Sequence, residues 1–279
     1  METGFSFHSP PGNSQRIAAS VEGALNFRDL GEHPSDVNQP AIMRRGFIYR
    51  SGYLSNITSR GWRKLRELQI STIIRLVPAK EADMLYGDTE IERFEGFRVI
   101  HLSFSQAEFE KTYLFEKYTR LAAGGDTAVA QEYISLLRER PIILRTVLLL
   151  IRDYPNEVYL IHCSMGKDRT GIICALLLCL AGASHETIST EYSLSEPALE
   201  SLVPGIFRLL EHIAPCGTSE ADCHQLAREA IKARKTAMLR TLQLVDKEFG
   251  GAINYVTEYC GLSAEDIERV RHNLLHIES

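Results

Sequence analysis

The chain has 279 residues, 44% of them hydrophobic, which is enough to bury a sizeable core without a second domain. A formal net charge of −5 argues against nucleic acid as a general partner. The six cysteines show neither CxxC nor zinc-ligand spacing, and no apolar run is long enough for an integral membrane segment.

Residues 1–21 are polar, contain Pro10, Pro11 and Gly12, and read as a flexible arm without the basic and apolar stretches of a secretory signal. Residues 22–279 are expected to form a single domain. Phe47 to Arg50 reads as a short strand. Thr58 is placed to cap a helix over 59–68, with Trp62, Leu65 and Leu68 on one face. The segment 44–66 is basic (Arg44, Arg45, Arg50, Arg60, Arg63, Lys64, Arg66) and is read as a solvated helix face beside a loop rather than a phosphate-recruiting patch. Ser71 to Val77 is β-branched and apolar, the mark of a buried parallel strand. A helix is expected over 81–88, a strand over 97–102, and helices over 108–121, 127–139 and 143–153. Glu157 to Ile161 is a further strand. Past Gly182 the pattern is helical: 185–193, 197–213, 219–235, 236–248, 250–260 and 263–277. Strands alternating with helices predict an α/β fold with a central, mostly parallel twisted sheet flanked by helices and a helical C-terminal part.

The most informative stretch joins that last strand to a helix over 171–182: His162-Cys163-Ser164-Met165-Gly166-Lys167-Asp168-Arg169-Thr170. A strand, a short turn with glycine and a helix N-terminus together offer unpaired N–H groups and a positive dipole to a dianion. Arg169 adds a planar fork suited to two phosphate oxygens. The same positive field favours a thiolate, the form in which Cys163 is a nucleophile near neutral pH. Cys163 is the only cysteine followed six positions later by an arginine. The bland alternative, a structural thiol at a strand end, leaves the joint pattern unexplained. A cysteine-dependent phosphatase is the expected activity, with no cofactor and no metal. A free catalytic thiol suits a reducing compartment, so the cytoplasm is the expected location.

This loop resembles the His-Cys-x5-Arg-Thr signature of the protein tyrosine phosphatase superfamily. Its Gly-Lys-Asp-Arg-Thr ending is most similar to the atypical bacterial and fungal branch, which includes secreted bacterial phosphatases acting on both phosphotyrosine and phosphoinositides. Asn26-Phe27-Arg28-Asp29-Leu30-Gly31, Arg50-Ser51-Gly52-Tyr53-Leu54 and the tail from Phe249 through Gly261-Leu262-Ser263 resemble further parts of that branch, so the likeness covers residues 22–278. One departure stands in the second strand. The branch reads Asp-Leu-Arg there, whereas this chain has Arg75-Leu76-Val77.

The resemblance implies that Cys163 forms a phosphocysteine, and that the Arg169 side chain with the loop N–H groups from Ser164 through Met165, Gly166, Lys167 and Asp168 to Arg169 holds the phosphoryl oxygens. Thr170 is expected to donate its hydroxyl to the Cys163 sulfur, and His162 to orient the loop and support the thiolate, or simply to pack. Asp168 is the first choice for general acid, with Asp83 and Asp88 as alternatives. Lys167 reads either as a second cation for polyphosphorylated head groups or as a salt-bridge partner. Expected partners are a phosphorylated protein or phosphoinositide; the residues leave the oligomeric state open. Other readings of the same loop are a silent phosphate-binding scaffold, a phosphatase of a small-molecule phosphoester, and arsenate reduction, which needs a resolving cysteine near the loop. The helical insertion 197–236 is expected to form a lid. Its Leu199, Leu202, Val203, Ile206, Phe207 and Leu210 are read as core. Cys174 and Cys179 are read as core thiols, and Cys216 and Cys223 as unpaired thiols of a loop.

Overall fold

The computed structural model describes residues 21–32, 43–86, 95–104 and 111–275. Its strands are β1 (Arg28–Asp29), β2 (Ile48–Ser51), β3 (Ile70–Arg75), β4 (Arg98–His101) and β5 (Val158–His162), joined in one sheet in the order β1-β2-β5-β3-β4. The pairings among β2, β5, β3 and β4 are all parallel; β1 alone is antiparallel, on the edge of β2. The mostly parallel sheet is as expected, apart from the two-residue β1, too short to leave a pattern.

The helices are α1 (Ser59–Glu67), α2 (Ala79–Tyr86), α3 (Lys111–Glu139), α4 (Pro141–Asp153), α5 (Asp168–Leu180), α6 (His185–Ser193), α7 (Ser195–Leu199), α8 (Val203–Ile213), α9 (Glu220–Ala230), α10 (Lys235–Phe249), α11 (Ala252–Asn254) and α12 (Ala264–Leu275). Thr58 caps α1 as expected, its hydroxyl accepting from the Gly61 N–H at 3.1 Å. Alternate strand residues face opposite layers. Ile48, Ile74, Tyr159 and Ile161 join the large core with α3, α4, α5, α10 and α12, whereas Tyr49, Ile73, Val158 and Leu160 pack under Trp62 and Leu65 of α1.

Several helices break where a residue forces the break. Gly125 has φ 53° and ψ −141°, so α3 divides into halves 111–124 and 126–139. Glu132 pairs with Lys117 at 3.2 Å and Arg120 at 2.6 Å. In a straight helix those positions would lie roughly 18–22 Å apart, so the first half folds back on the second. The expected helix 197–213 is instead α7, a 3₁₀ turn (Glu200–Leu202) and α8, which restarts at Pro204, a residue that cannot donate to a preceding turn. Gly250 at φ 74° ends α10 in the left-handed conformation, leaving α11 and a π-helical turn (Tyr255–Tyr259) in place of one helix.

The insertion builds a core of its own. Leu199, Leu202, Val203, Ile206 and Leu210 are buried as expected, with Leu226 and Ala227 of α9, and Phe207 is packed against them. Phe115, Tyr118 and Ala122 from the first half of α3 lie against this cluster, and so does Met165. Cys174 is buried as expected and Cys179 half-buried; Cys223 is buried on α9 rather than in a loop, where only the exposed Cys216 lies, and all six cysteines are free. Among the described residues no helix is long and apolar enough to cross a membrane.

Candidate active site

β5 is the central strand, and all five of its residues are buried. In register, His162 stands beside Ser51 of β2 and Arg75 of β3. Three parallel strands therefore end at one level, the place where open α/β sheets bind ligands. Cys163 follows immediately, 2% exposed. Gly166 turns the loop at φ 65°, and a Cβ there would lie 2.3 Å from the Ser51 carbonyl oxygen, so no other residue fits.

The direction of the loop's N–H groups follows from where its carbonyls go. The Ser164 carbonyl accepts from the Tyr53 N–H at 2.9 Å. Asn26 Nδ2 donates to the Met165 and Gly166 carbonyls at 3.0 and 3.1 Å, and Arg50 Nη2 donates to the Gly166 carbonyl at 2.6 Å. In a trans peptide the C=O and the following N–H point in opposite directions. Three successive carbonyls drawn back to the body of the protein thus leave the N–H groups of Met165, Gly166 and Lys167 turned the other way, as an oxyanion cradle. The residues that draw them back are themselves fixed. Glu191 on α6 accepts from Arg28 Nε at 2.7 Å and from Arg50 Nη1 at 2.6 Å, and all three side chains are buried. Burial pushes the Glu191 carboxyl up, and the two guanidiniums outweigh it and hold it below the ordinary glutamate value.

Arg169 sits in the first turn of α5. Its Nη1 and Nη2 donate to Glu81 Oε2 and Oε1 at 2.9 and 2.5 Å, Nη1 reaches the Leu76 carbonyl at 3.3 Å, and the Ser164 hydroxyl also donates to Glu81. Glu81 comes from the first turn of α2, directly after β3. It fixes the plane of the guanidinium through the Nη edge.

His162 is fully buried, with its ring edge-on to Tyr53 at 5.9 Å between centroids. Arg75 donates to the Tyr53 hydroxyl at 2.7 Å and lies over the same ring. Burial first, then the Arg75 charge, push the His162 imidazole down to about 3, so it is neutral.

A sequence model of the tyrosine phosphatase family matches residues 19–276. The chain belongs to that family. It is similar to the triple specificity protein phosphatase PtpB of Mycobacterium tuberculosis, 23% identical over 284 residues that cover 91% of this chain and 98% of the relative. It is also similar to a tyrosine-protein phosphatase of Nostoc commune, 25% identical over 84% of this chain and 76% of the relative. Among solved structures, the core catalytic domain of the PP-IP phosphatase SIW14 from S. cerevisiae aligns over 64% of this chain and 98% of that one, at 18% identity and a TM-score of 0.35, an overlap too loose to bear on the site.

The loop residues lie together, and the structure bears on three of the roles expected for them. The Thr170 hydroxyl, expected on the Cys163 sulfur, is buried and makes no hydrogen bond. His162 cannot support a thiolate by charge, because its buried ring stays neutral; its part is packing against Tyr53. Lys167 does not reach toward a second phosphate. Its Nζ donates to the Ala230 and Lys232 carbonyls at 2.6 and 3.0 Å, at the C-terminal end of α9, and stands 3.5 Å from Asp168 Oδ1 as an ion pair. Asp168 lies in the first turn of α5 and accepts from the Tyr133 hydroxyl at 2.7 Å. Of its two alternatives, Asp88 and the side chain of Asp83 lie outside the described residues. The departure at Arg75 and Val77 leaves the loop supported, since Asn26, Arg50 and Tyr53 hold its carbonyls; Val77 is simply core.

Sequence reasoning missed Glu81, Glu191 and Tyr133. A glutamate in the first turn after a strand end was the available signal for Glu81; the other two are ordinary helix residues until the chain is folded.

The neutral His162 makes acid stability testable. Between about 3 and the ordinary value of 6.5 the unfolded chain carries a proton on this side chain and the folded chain does not. Its folded value lies below its unfolded one, so this contribution is fully present above pH 6.5 and is lost as the pH falls through that window. Urea midpoints measured across the window should fall with acidification, and less steeply in His162→Asn; an unchanged slope would show that His162 is not the group responsible.

Proposed function

We propose that this chain hydrolyses phosphomonoesters through a phosphocysteine on Cys163, with phosphotyrosine in protein as the first substrate class and phosphoserine, phosphothreonine and phosphoinositide head groups as further candidates. The observation that carries this reading is the set of three loop carbonyls tied back by Tyr53, Asn26 and Arg50, which leaves the N–H groups of Met165, Gly166 and Lys167 to a dianion beside Cys163.

In the first step the Cys163 thiolate attacks phosphorus and the bond from phosphorus to the ester oxygen breaks. The N–H cradle and Arg169 stabilise charge on the equatorial oxygens, and Asp168 gives its proton to the departing oxygen. Water then attacks the phosphocysteine, Asp168 takes its proton, and inorganic phosphate and the thiolate are released. In the resting state burial pushes the Asp168 carboxyl up, but Lys167, Lys117, the Tyr133 hydroxyl and Arg169 outweigh it and hold it below the usual range. A bound phosphate dianion adds negative charge beside Asp168 and favours its protonated form in the complex. The helices α8 and α9 with the first half of α3, in contact with the loop through Met165, serve as the lid.

The triple specificity named for PtpB supports breadth across phosphoester classes. The engagement of Lys167 with α9 favours protein over polyphosphorylated lipid. Turnover of the purified protein on a panel of phosphopeptides and phosphoinositides tests the ranking. Phosphotyrosine peptides should give the highest kcat/KM; a phosphoinositide at the top of the panel would reverse it, and no turnover of any phosphoester would leave the silent scaffold.

A further inference from the structure

Asp168 is gripped on one oxygen. Its Oδ1 accepts from the Tyr133 hydroxyl at 2.7 Å and faces Lys167 Nζ at 3.5 Å. The Tyr133 hydroxyl lies 2.7 Å from that of Tyr192. Tyr133 comes from the second half of α3 and Tyr192 from α6, and each is only 1% exposed. The rings meet edge to face, which fixes both hydroxyls in place.

A phenol carries one proton, and a carboxylate oxygen can only accept. Tyr133 therefore gives its proton to Asp168, and the short contact to Tyr192 is filled by the Tyr192 proton. The direction runs Tyr192 to Tyr133 to Asp168. Reversal would require a proton on Oδ1 and would turn the Tyr192 proton away from Tyr133, although among the described residues its hydroxyl has no other hydrogen-bond partner. A buried donor left unpaired in this way is destabilising, which favours the forward direction. Burial raises both phenols, so neither breaks the chain by ionising.

We propose that Tyr133, held by Tyr192, is the positioning residue that decides which oxygen of Asp168 carries the catalytic proton: it keeps Oδ1 as an acceptor, so the proton resides on Oδ2 and is delivered from there. This rests on Asp168 being the general acid. A carboxyl free to carry its proton on either oxygen, or to rotate, would present it to the leaving group only part of the time. The charged groups around Asp168 (Lys167 beside it, Lys117 on α3, Arg169 on α5) set how tightly the proton is held, together with Tyr118 and Tyr192. Tyr133 alone makes a hydrogen bond that selects between the two oxygens, and Lys167 faces the same one, Oδ1.

The test uses the full chain with an alkyl phosphate, whose leaving group needs a proton, and p-nitrophenyl phosphate, whose leaving group does not. Tyr133→Phe keeps the ring and removes the donor. Its kcat on the alkyl phosphate should fall about tenfold further than on the aryl ester, a fraction of the full effect of a general acid. The basic limb of the alkyl pH–rate profile should move to higher pH, because the carboxylate has lost a donor that stabilised it. Tyr192→Phe should shift both readouts the same way and by less, and it stands in if Tyr133→Phe fails to fold. Equal slowing of both substrates, or an unmoved basic limb, overturns the proposal. Asp168→Asn, measured alongside, separates the two failures. If it discriminates between the substrates and the tyrosine variants do not, only the tyrosine chain is wrong. If it slows both esters alike, the acid assignment falls and this proposal with it.

Discussion

Cys163→Ser should lose all measurable turnover of any phosphoester while still binding inorganic phosphate or vanadate. The hydroxyl of serine is a far weaker nucleophile than a thiolate, because its proton is held far more tightly. The cradle does not depend on the sulfur: its N–H groups are aimed by carbonyls that Tyr53, Asn26 and Arg50 hold from behind, and Arg169 is held by Glu81. Oxyanion affinity measured by calorimetry should therefore stay within a few-fold of wild type, as expected when backbone and guanidinium donors are intact. A serine variant that still turns over substrate would remove the covalent step. One that also loses oxyanion binding would show that the cradle collapses without the thiol.

The second large effect concerns stability. Among the described residues Glu191 is the one carboxylate paired with both Arg28 and Arg50, with exposures of 4%, 5% and 0% for the three residues. Burial and the Arg50 charge already press Arg28 down to about 10 with Glu191 in place. Glu191→Gln leaves two buried guanidiniums facing each other without a counter-charge, a defect that costs about 3–5 kcal/mol. At roughly 2–4 °C per kcal/mol for a chain of this size, the midpoint of thermal unfolding should drop by about 10 °C. Arg50 also holds the Gly166 carbonyl, so phosphate affinity should weaken in the same variant even at temperatures where it is folded. A thermal midpoint within error of wild type would mean that the buried charges are satisfied by other groups.

These two sites differ in how far the sequence disclosed them. The loop was legible because its chemistry is local: a strand, a glycine turn and a helix start occupy successive residues, and the thiol and guanidinium sit at its two ends. The sheet was legible for the same reason, since buried parallel strands are short apolar runs between helical patterns. The groups that hold the loop are not local. Glu191 lies 141 residues from Arg50, and Glu81 lies 88 residues from Arg169. No periodicity marks either as different from a surface glutamate. Lys167 stayed open between a phosphate-binding cation and a salt-bridge partner, and only the packing of α9 against the loop shows that two carbonyls claim it beside Asp168. Tyr133, at helical spacing on α3, looks like core and is core; its single polar atom is what meets Asp168.

The most direct test of the covalent mechanism is to trap its intermediate. The enzyme should be mixed with a radiolabelled phosphotyrosine peptide, quenched in acid within one turnover, and digested for mass spectrometry. The account predicts a phosphoryl group on the peptide that contains Cys163. Turnover at the normal rate with no label on Cys163, or with label on another residue, would contradict it.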